Sequence, residues 1–231
     1  MITVDNIVKS YNGNIVVNIP SLEIIEGELI GLVGNNGAGK TTFFRLLLDL
    51  VRADKGQIQS KHNNVATTED WKNYTAAYLD EGFLIHYLTP EEYFYFVGKL
   101  HRLSKAAVDE FLRGFDAFFD GSVLKSGKLI RDLSKGNQFK VGIAACLLQQ
   151  PEVLILDEPF ANLDPSSQMR LIRMLRDLTA QKRMTVFVSS HDLNHVTDVC
   201  HRILLMEKGR IIKDIDTTAD TLQELEAYFQ V

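Results

Sequence analysis

The sequence has too little cysteine for a disulfide scaffold. Its two residues, Cys146 and Cys200, stand far apart in apolar, helical contexts, where a lone cysteine behaves as a small buried hydrophobe rather than as half of a bridge or a metal ligand. That usage fits a reducing cytoplasm. Excess positive charge is also missing: 25 Lys and Arg against 30 Asp and Glu leave a formal charge of −5, which gives no basic face to a nucleic-acid backbone, and no direct nucleic-acid partner is expected. No apolar run approaches the roughly 20 residues that cross a bilayer. Met1 to Tyr11 read as a strand and hold no basic segment followed by an apolar stretch of the secretory kind. Any membrane role is therefore expected to be exercised from outside the lipid. Internal repeats, low-complexity tracts and long heptads are absent as well. What is there, 45% hydrophobic and 24% charged residues over 231 positions, suffices for a buried core in a single domain spanning 1–231.

Hydrophobic periodicity divides the chain into a β-rich start, an α/β frame and a helical middle. Short β-type runs, Ile15 to Val17 and Leu22 to Ile25, are broken by Asn12-Gly13 and Pro20 and suggest a small β-layer. Leu29 to Val33 is a continuous apolar run of strand length that ends in a glycine-rich loop and leads into helix over Lys40 to Leu50. Val153 to Leu156 and Thr185 to Val188 read as two further buried strands, the latter β-branched. Between them Asp164 is placed as an N-cap with Pro165 as first helical residue, and Leu171, Leu175 and Leu178 follow at helical spacing. Strands joined by helices predict a parallel sheet. From about 88 to 150 no strand is evident; helical stretches at Pro90 to Leu103, Ala106 to Phe119 and Ser134 to Gln150 read as an inserted lobe. A Lys208-Gly209 turn makes a late hairpin, and Thr217 with Asp220 reads as the capping pair of a terminal helix. The expected class is α/β: a mostly parallel sheet with an N-terminal antiparallel β-layer and an inserted α-helical lobe.

Gly34-Asn35-Asn36-Gly37-Ala38-Gly39-Lys40-Thr41 satisfies the pattern G-x-x-x-x-G-K-[ST] between a buried strand and a helix N-terminus. Glycines let the loop curl with its N–H groups inward, and the helix start adds partial positive charge, so the loop is built to hold phosphate oxygens. Lys40 is expected to reach the β- and γ-phosphates of ATP, Thr41 to ligate Mg²⁺ and Thr42 to add a phosphate contact. Four apolar residues from Val153 deliver Asp157 to the sheet edge beside that loop, as a second Mg²⁺ ligand. Glu158 next to it is placed to polarise a water for in-line attack.

The order of P-loop, helical lobe, Leu133-Ser134-Lys135-Gly136-Asn137, Asp157-Glu158, Ala161-Asn162-Leu163-Asp164 and Ser190-His191 resembles the nucleotide-binding domain of ABC proteins over nearly the whole chain. That resemblance implies a signature motif at Leu133 to Asn137, with Ser134, Gly136 and Asn137 meeting the ATP held by an opposite subunit. It implies Glu158 as catalytic base, a D-loop at Asn162 to Asp164, and His191 as the switch histidine contacting the γ-phosphate. Tyr11, in Lys9-Ser10-Tyr11, matches the aromatic that stacks on adenine. Two departures stand out. Lys135 and Asn137 replace a glycine and a glutamine of the usual signature, and Glu81 falls where the family has a glutamine beside the metal, making Glu81 a third metal-ligand candidate.

By the same resemblance the chain is the ATPase subunit of an ABC membrane transporter, similar to exporter types, working as a homodimer or with a related ATPase. Its permease is a separate polypeptide, and its location is the inner face of the membrane. The apolar stretch Gly82 to Leu88 is the candidate dock for the permease. The competing reading is a soluble ABC ATPase acting on ribosomes, DNA or a protein complex; such members pair two domains in one chain or carry long coiled coils, and neither feature occurs here. A module that has lost hydrolysis is disfavoured because Lys40, Asp157, Glu158 and His191 are all present.

Overall fold

Asn12 and Gly13 both take positive φ, 52° and 81°, the backbone that a two-residue turn between right-twisted strands requires. They join β1 (Ile2–Tyr11) to β2 (Asn14–Ile24). The computed structural model describes residues 1–229, apart from the side chains of Glu81, Gln181 and Lys182. Pro20, expected to interrupt the β-layer, lies inside β2. It is tolerated because β2 is the edge of its sheet, where a missing N–H costs no ladder bond.

After β3 (Leu29–Val33) come α1 (Lys40–Leu47), β4 (Lys55–Ser60), β5 (Asn63–Asn64) and β6 (Thr75–Tyr78). The helix expected to run to Leu50 stops at Leu47, and Asp49 turns left-handed at φ 47°. Next are α2 (Pro90–Leu100), α3 (Lys105–Arg113), α4 (Asp116–Phe119) and α5 (Lys135–Leu148). A capping box of Thr89 and Glu92, with Pro90 at the first helical position, starts α2. The helix expected over Ala106 to Phe119 is broken at Gly114-Phe115. The break lets Phe115, Phe118 and Phe119 cluster, with ring centroids 5.8 to 6.3 Å apart. The chain ends with β7 (Val153–Leu156), α6 (Pro165–Lys182), β8 (Thr185–Ser190), α7 (Leu193–Val199), β9 (Arg202–Glu207), β10 (Arg210–Asp216) and α8 (Thr221–Phe229).

The first sheet is antiparallel and four-stranded, in the order β2-β1-β4-β5; the second is six-stranded, β10-β9-β3-β8-β7-β6. In the second, β6, β7, β8, β3 and β9 are parallel, and β10 returns antiparallel through the Lys208-Gly209 turn. Both faces of the parallel strands are buried, so period two sorts their side chains into two cores. Ile30, Leu32, Ile155, Phe187 and Leu204 join Phe43 and Phe44 of α1 and the apolar face of the first sheet. Leu29, Val33, Leu154, Val186, Val188 and Ile203 join α5, α6 and α7 on the other side.

The terminal helix is where local reading failed. Its Thr217–Asp220 cap does not form, and the helix starts at Thr221. Thr217 N–H is taken by the His201 carbonyl at 2.8 Å, which ties residue 217 to the sheet, while Thr221 Oγ1 accepts from Thr218 N at 2.8 Å.

Candidate active site

All five residues of β3 are buried, so the chain leaves the sheet centre at Gly34 and must turn sharply into α1. Gly39 makes that turn with φ 110°, and a Cβ there would lie 2.6 Å from the Val16 carbonyl oxygen; only glycine satisfies both demands. No side chain caps α1, so its first N–H groups are available to an anion. Lys40, 7% exposed, donates to the Gly34 carbonyl at 2.7 Å and lies 3.6 Å from Glu158 Oε1. The cleft over this turn is lined by Val16, Asn36, Gly37, Ala38, Gly39, Lys40, Thr41, Thr42 and Glu158.

Strand order explains the second half. β8 lies between β3 and β7, so the P-loop, Asp157 and His191 emerge from neighbouring C-terminal strand ends, where open α/β sheets bind their ligands. Thr41 Oγ1 donates to Asp157 Oδ2 at 2.5 Å. This pair of hard oxygen donors suits Mg²⁺, which takes one or two protein ligands and completes its shell with phosphate and water. Among the described residues no group of three or more His, Cys, Asp or Glu forms a metal cage. Glu158 has φ 50°, a left-handed conformation that is uncommon for a non-glycine residue. Its carboxylate accepts from His191 Nδ1 at 2.9 Å.

Sequence reasoning overlooked Ser189. It is fully buried, donates to Asp157 Oδ1 and accepts from the Glu158 N–H at 2.8 Å. The available signal was polarity itself: a hydroxyl in a continuously buried strand needs a hydrogen-bond partner.

The remaining expected residues are elsewhere. Ser134 caps α5, accepting from Asn137 N at 3.3 Å, and Asn137 Oδ1 accepts from Ser122 Oγ at 3.1 Å. A Cβ on Gly136 would lie 2.6 Å from the Asn162 carbonyl, so the Leu133–Asn137 turn packs on the Ala161–Asp164 turn of the same chain. None of Ser134, Gly136 and Asn137 lines the P-loop cleft. Tyr11, 43% exposed at the end of β1, has the Lys9 ammonium 5.3 Å from its ring centroid and is likewise outside that lining. Glu81, expected at the metal, has its side chain outside the described residues. In the candidate dock Leu84 is core, whereas Phe83, Ile85 and Tyr87 are 49%, 38% and 74% exposed.

The family model described as ABC transporter matches residues 17–161. The chain belongs to the ABC transporter family. A relative in Bacillus subtilis (strain 168), an uncharacterized ABC transporter ATP-binding protein YhcH, is 30% identical over 97% of this chain and 72% of its own length. The lipopolysaccharide export system ATP-binding protein LptB of Acidithiobacillus ferridurans is 29% identical over 97% of this chain and 92% of its own. Among solved structures, a dimeric post-hydrolysis state of the ATP-binding cassette MJ0796 bound to ADP and Pi matches with a TM-score of 0.83. The identity is 21%, over 95% of this chain and 100% of that one, a likeness of fold. As a member of the ABC transporter family the chain binds ATP and is an ATPase.

Proposed function

We propose that this chain is the ATP-hydrolysing subunit of an exporter-type ABC transporter, a single ATPase domain with an inserted helical lobe at about 88–150, working as a dimer beneath a separate permease. The observation that carries the reading is the linked set at three adjacent strand ends: Thr41 to Asp157 at 2.5 Å, Lys40 to Glu158 at 3.6 Å, and His191 to Glu158 at 2.9 Å. In this reading the N–H groups of Gly34 to Thr41, with Thr42, bind the phosphates. Lys40 exchanges the Gly34 carbonyl for β- and γ-phosphate oxygens, leaving Glu158 free to take a proton from the attacking water. His191 keeps the Glu158 carboxylate at the γ-phosphate. Thr41 and Asp157 would hold Mg²⁺, whose charge would offset that of the β- and γ-phosphates. Tyr11 stacks on the adenine.

Ser134, Gly136 and Asn137 serve the nucleotide of the opposite subunit, which fits their distance from the cleft of their own chain. The exposed Phe83, Ile85 and Tyr87 offer a permease an apolar dock. No helix among the described residues is long and apolar enough to cross a membrane, so the protein is proposed to reach the cytoplasmic face of the membrane through that permease. Export is supported by the relative named for a lipopolysaccharide export system.

Lys40→Ala tests the site. The variant should fold but lose hydrolysis of Mg²⁺-ATP, because no other P-loop side chain carries a full charge to the phosphates; unchanged turnover would refute the assignment. Co-expression with its permease should move the chain to the membrane fraction, and salt-resistant binding to protein-free liposomes would contradict docking through a permease.

A further inference from the structure

Ser189 ties together the two carboxylate residues of the site from the strand beside them. The register Leu156↔Val188 is the last pair of β7 with β8, so Asp157 leaves its strand opposite Ser189. The direction of each hydrogen bond is forced. An ionised carboxylate has no proton to give, and a backbone N–H has no lone pair to offer. The single hydroxyl proton therefore goes to Asp157 Oδ1, and an oxygen lone pair takes the Glu158 N–H at 2.8 Å. Ser189 is 0% exposed, so no water competes for either bond.

Two consequences follow for the carboxylates. Asp157 is held at both oxygens, Oδ1 by Ser189 and Oδ2 by Thr41, which fixes the plane of the carboxylate and leaves Oδ2 as the oxygen turned to Thr41. Glu158 adopts φ 50°, and the bond to Ser189 gives the N–H of that left-handed residue a partner where the β7 ladder has ended. That turn directs the Glu158 side chain to Lys40 and His191. Alanine would nearly fill the same buried volume, so packing alone does not account for a serine here, whereas its two hydrogen bonds do.

We infer that Ser189 is a positioning residue for ATP hydrolysis, its hydroxyl setting the orientation of Asp157 toward the divalent ion and of Glu158 toward the attacking water. This rests on the proposed roles of Asp157 and Glu158. The test uses two matched pairs, Ser189 against Ser189→Ala, and Ser189→Thr against Ser189→Val, whose members differ chiefly in the hydroxyl. Binding of Mn²⁺ to the ATP-loaded protein, read by electron paramagnetic resonance, is measured beside kcat, KM and the thermal midpoint.

Loss of the hydroxyl should weaken Mn²⁺ binding and lower kcat by about 10-fold or more, the scale of losing an outer-shell partner of a metal ligand, with KM for ATP little changed. Ser189→Thr should recover most of what Ser189→Val loses. A Ser189→Ala protein with a lowered midpoint but wild-type Mn²⁺ binding and kcat would reduce Ser189 to a structural role and overturn the inference, as would equal behaviour of the Thr and Val variants. If those last two fail to fold, the Ser/Ala pair decides alone. An inactive Lys40→Ala beside a normal Ser189→Ala would retain the site and remove only this inference. Absence of Mg²⁺-dependent hydrolysis in the unsubstituted protein would remove both.

Discussion

At the scale of single residues, close approach and burial make the sharpest demands. Gly136 meets the Asn162 carbonyl so closely that any Cβ falls at 2.6 Å from a backbone oxygen. Gly136→Ala should therefore lower stability by about 1–3 kcal/mol, the usual cost of overpacking, read as a lower urea midpoint with an unchanged slope. An unshifted midpoint would mean that the Asn162 turn yields freely. The thiols give a prediction with a sign. Burial pushes Cys146 up to about 12 from an ordinary value of 9.0 and raises Cys200 as well. The folded chain thus keeps protons that the unfolded chain releases above about pH 9, so this contribution is complete below that pH and erodes as pH rises through it. Cys200 is buried, whereas Cys146 is only partly covered; the Cys200 thiol should resist Ellman's reagent at pH 8 until the protein is unfolded, and its rapid labelling in the native protein would contradict that burial.

At the scale of elements, α6 depends on Asp164. Its carboxylate accepts from Ser167 Oγ at 2.6 Å, Ser166 Oγ at 2.7 Å and Ser167 N at 3.0 Å, and these bonds, the Ser167 hydroxyl foremost, hold it well below the usual carboxylate range. Because the folded value lies below the unfolded one, the stabilisation is present above about pH 4 and is lost as pH falls further. Asp164→Asn should flatten the acid limb of the stability curve, as measured by urea unfolding between pH 5 and 2.5; superimposable limbs would show that the cap does not contribute.

This cap was legible from Asp164-Pro165 and the leucine spacing because every determinant lies within a few residues. The same holds for the turn from β3 into α1 and for the placement of Asp157-Glu158 at the end of β7. The Thr217 cap was misread because a long-range partner, the His201 carbonyl, claims the N–H at 217. Ser189 went unseen for a related reason: its partners belong to the neighbouring strand, and only the β7–β8 pairing brings them together. The helix break at Gly114 had a local signal in the glycine itself, whereas the clustering of Phe115, Phe118 and Phe119 beyond it is a matter of tertiary packing.

At the scale of the whole molecule, one chain assembles P-loop, Asp157, Glu158 and His191 but leaves Ser134, Gly136 and Asn137 outside the cleft. In the proposed reading a complete site is built by two subunits, the P-loop of one facing the α5 N-terminus of the other, where Ser134 and the helix dipole would meet the phosphates. Glu158→Gln is the direct test. Glutamine keeps the reach of the side chain but cannot take the proton from the attacking water, so ATP should stay intact between the two chains. Removing one carboxylate per site also reduces repulsion against the bound phosphates. Light scattering behind size-exclusion chromatography should give a monomer mass for Glu158→Gln with ADP and a dimer mass with ATP, and adding Ser134→Arg should restore the monomer. A Glu158→Gln protein that stays monomeric at high ATP and protein concentration, or that dimerises equally with ADP, would contradict an ATP-held sandwich of this chain.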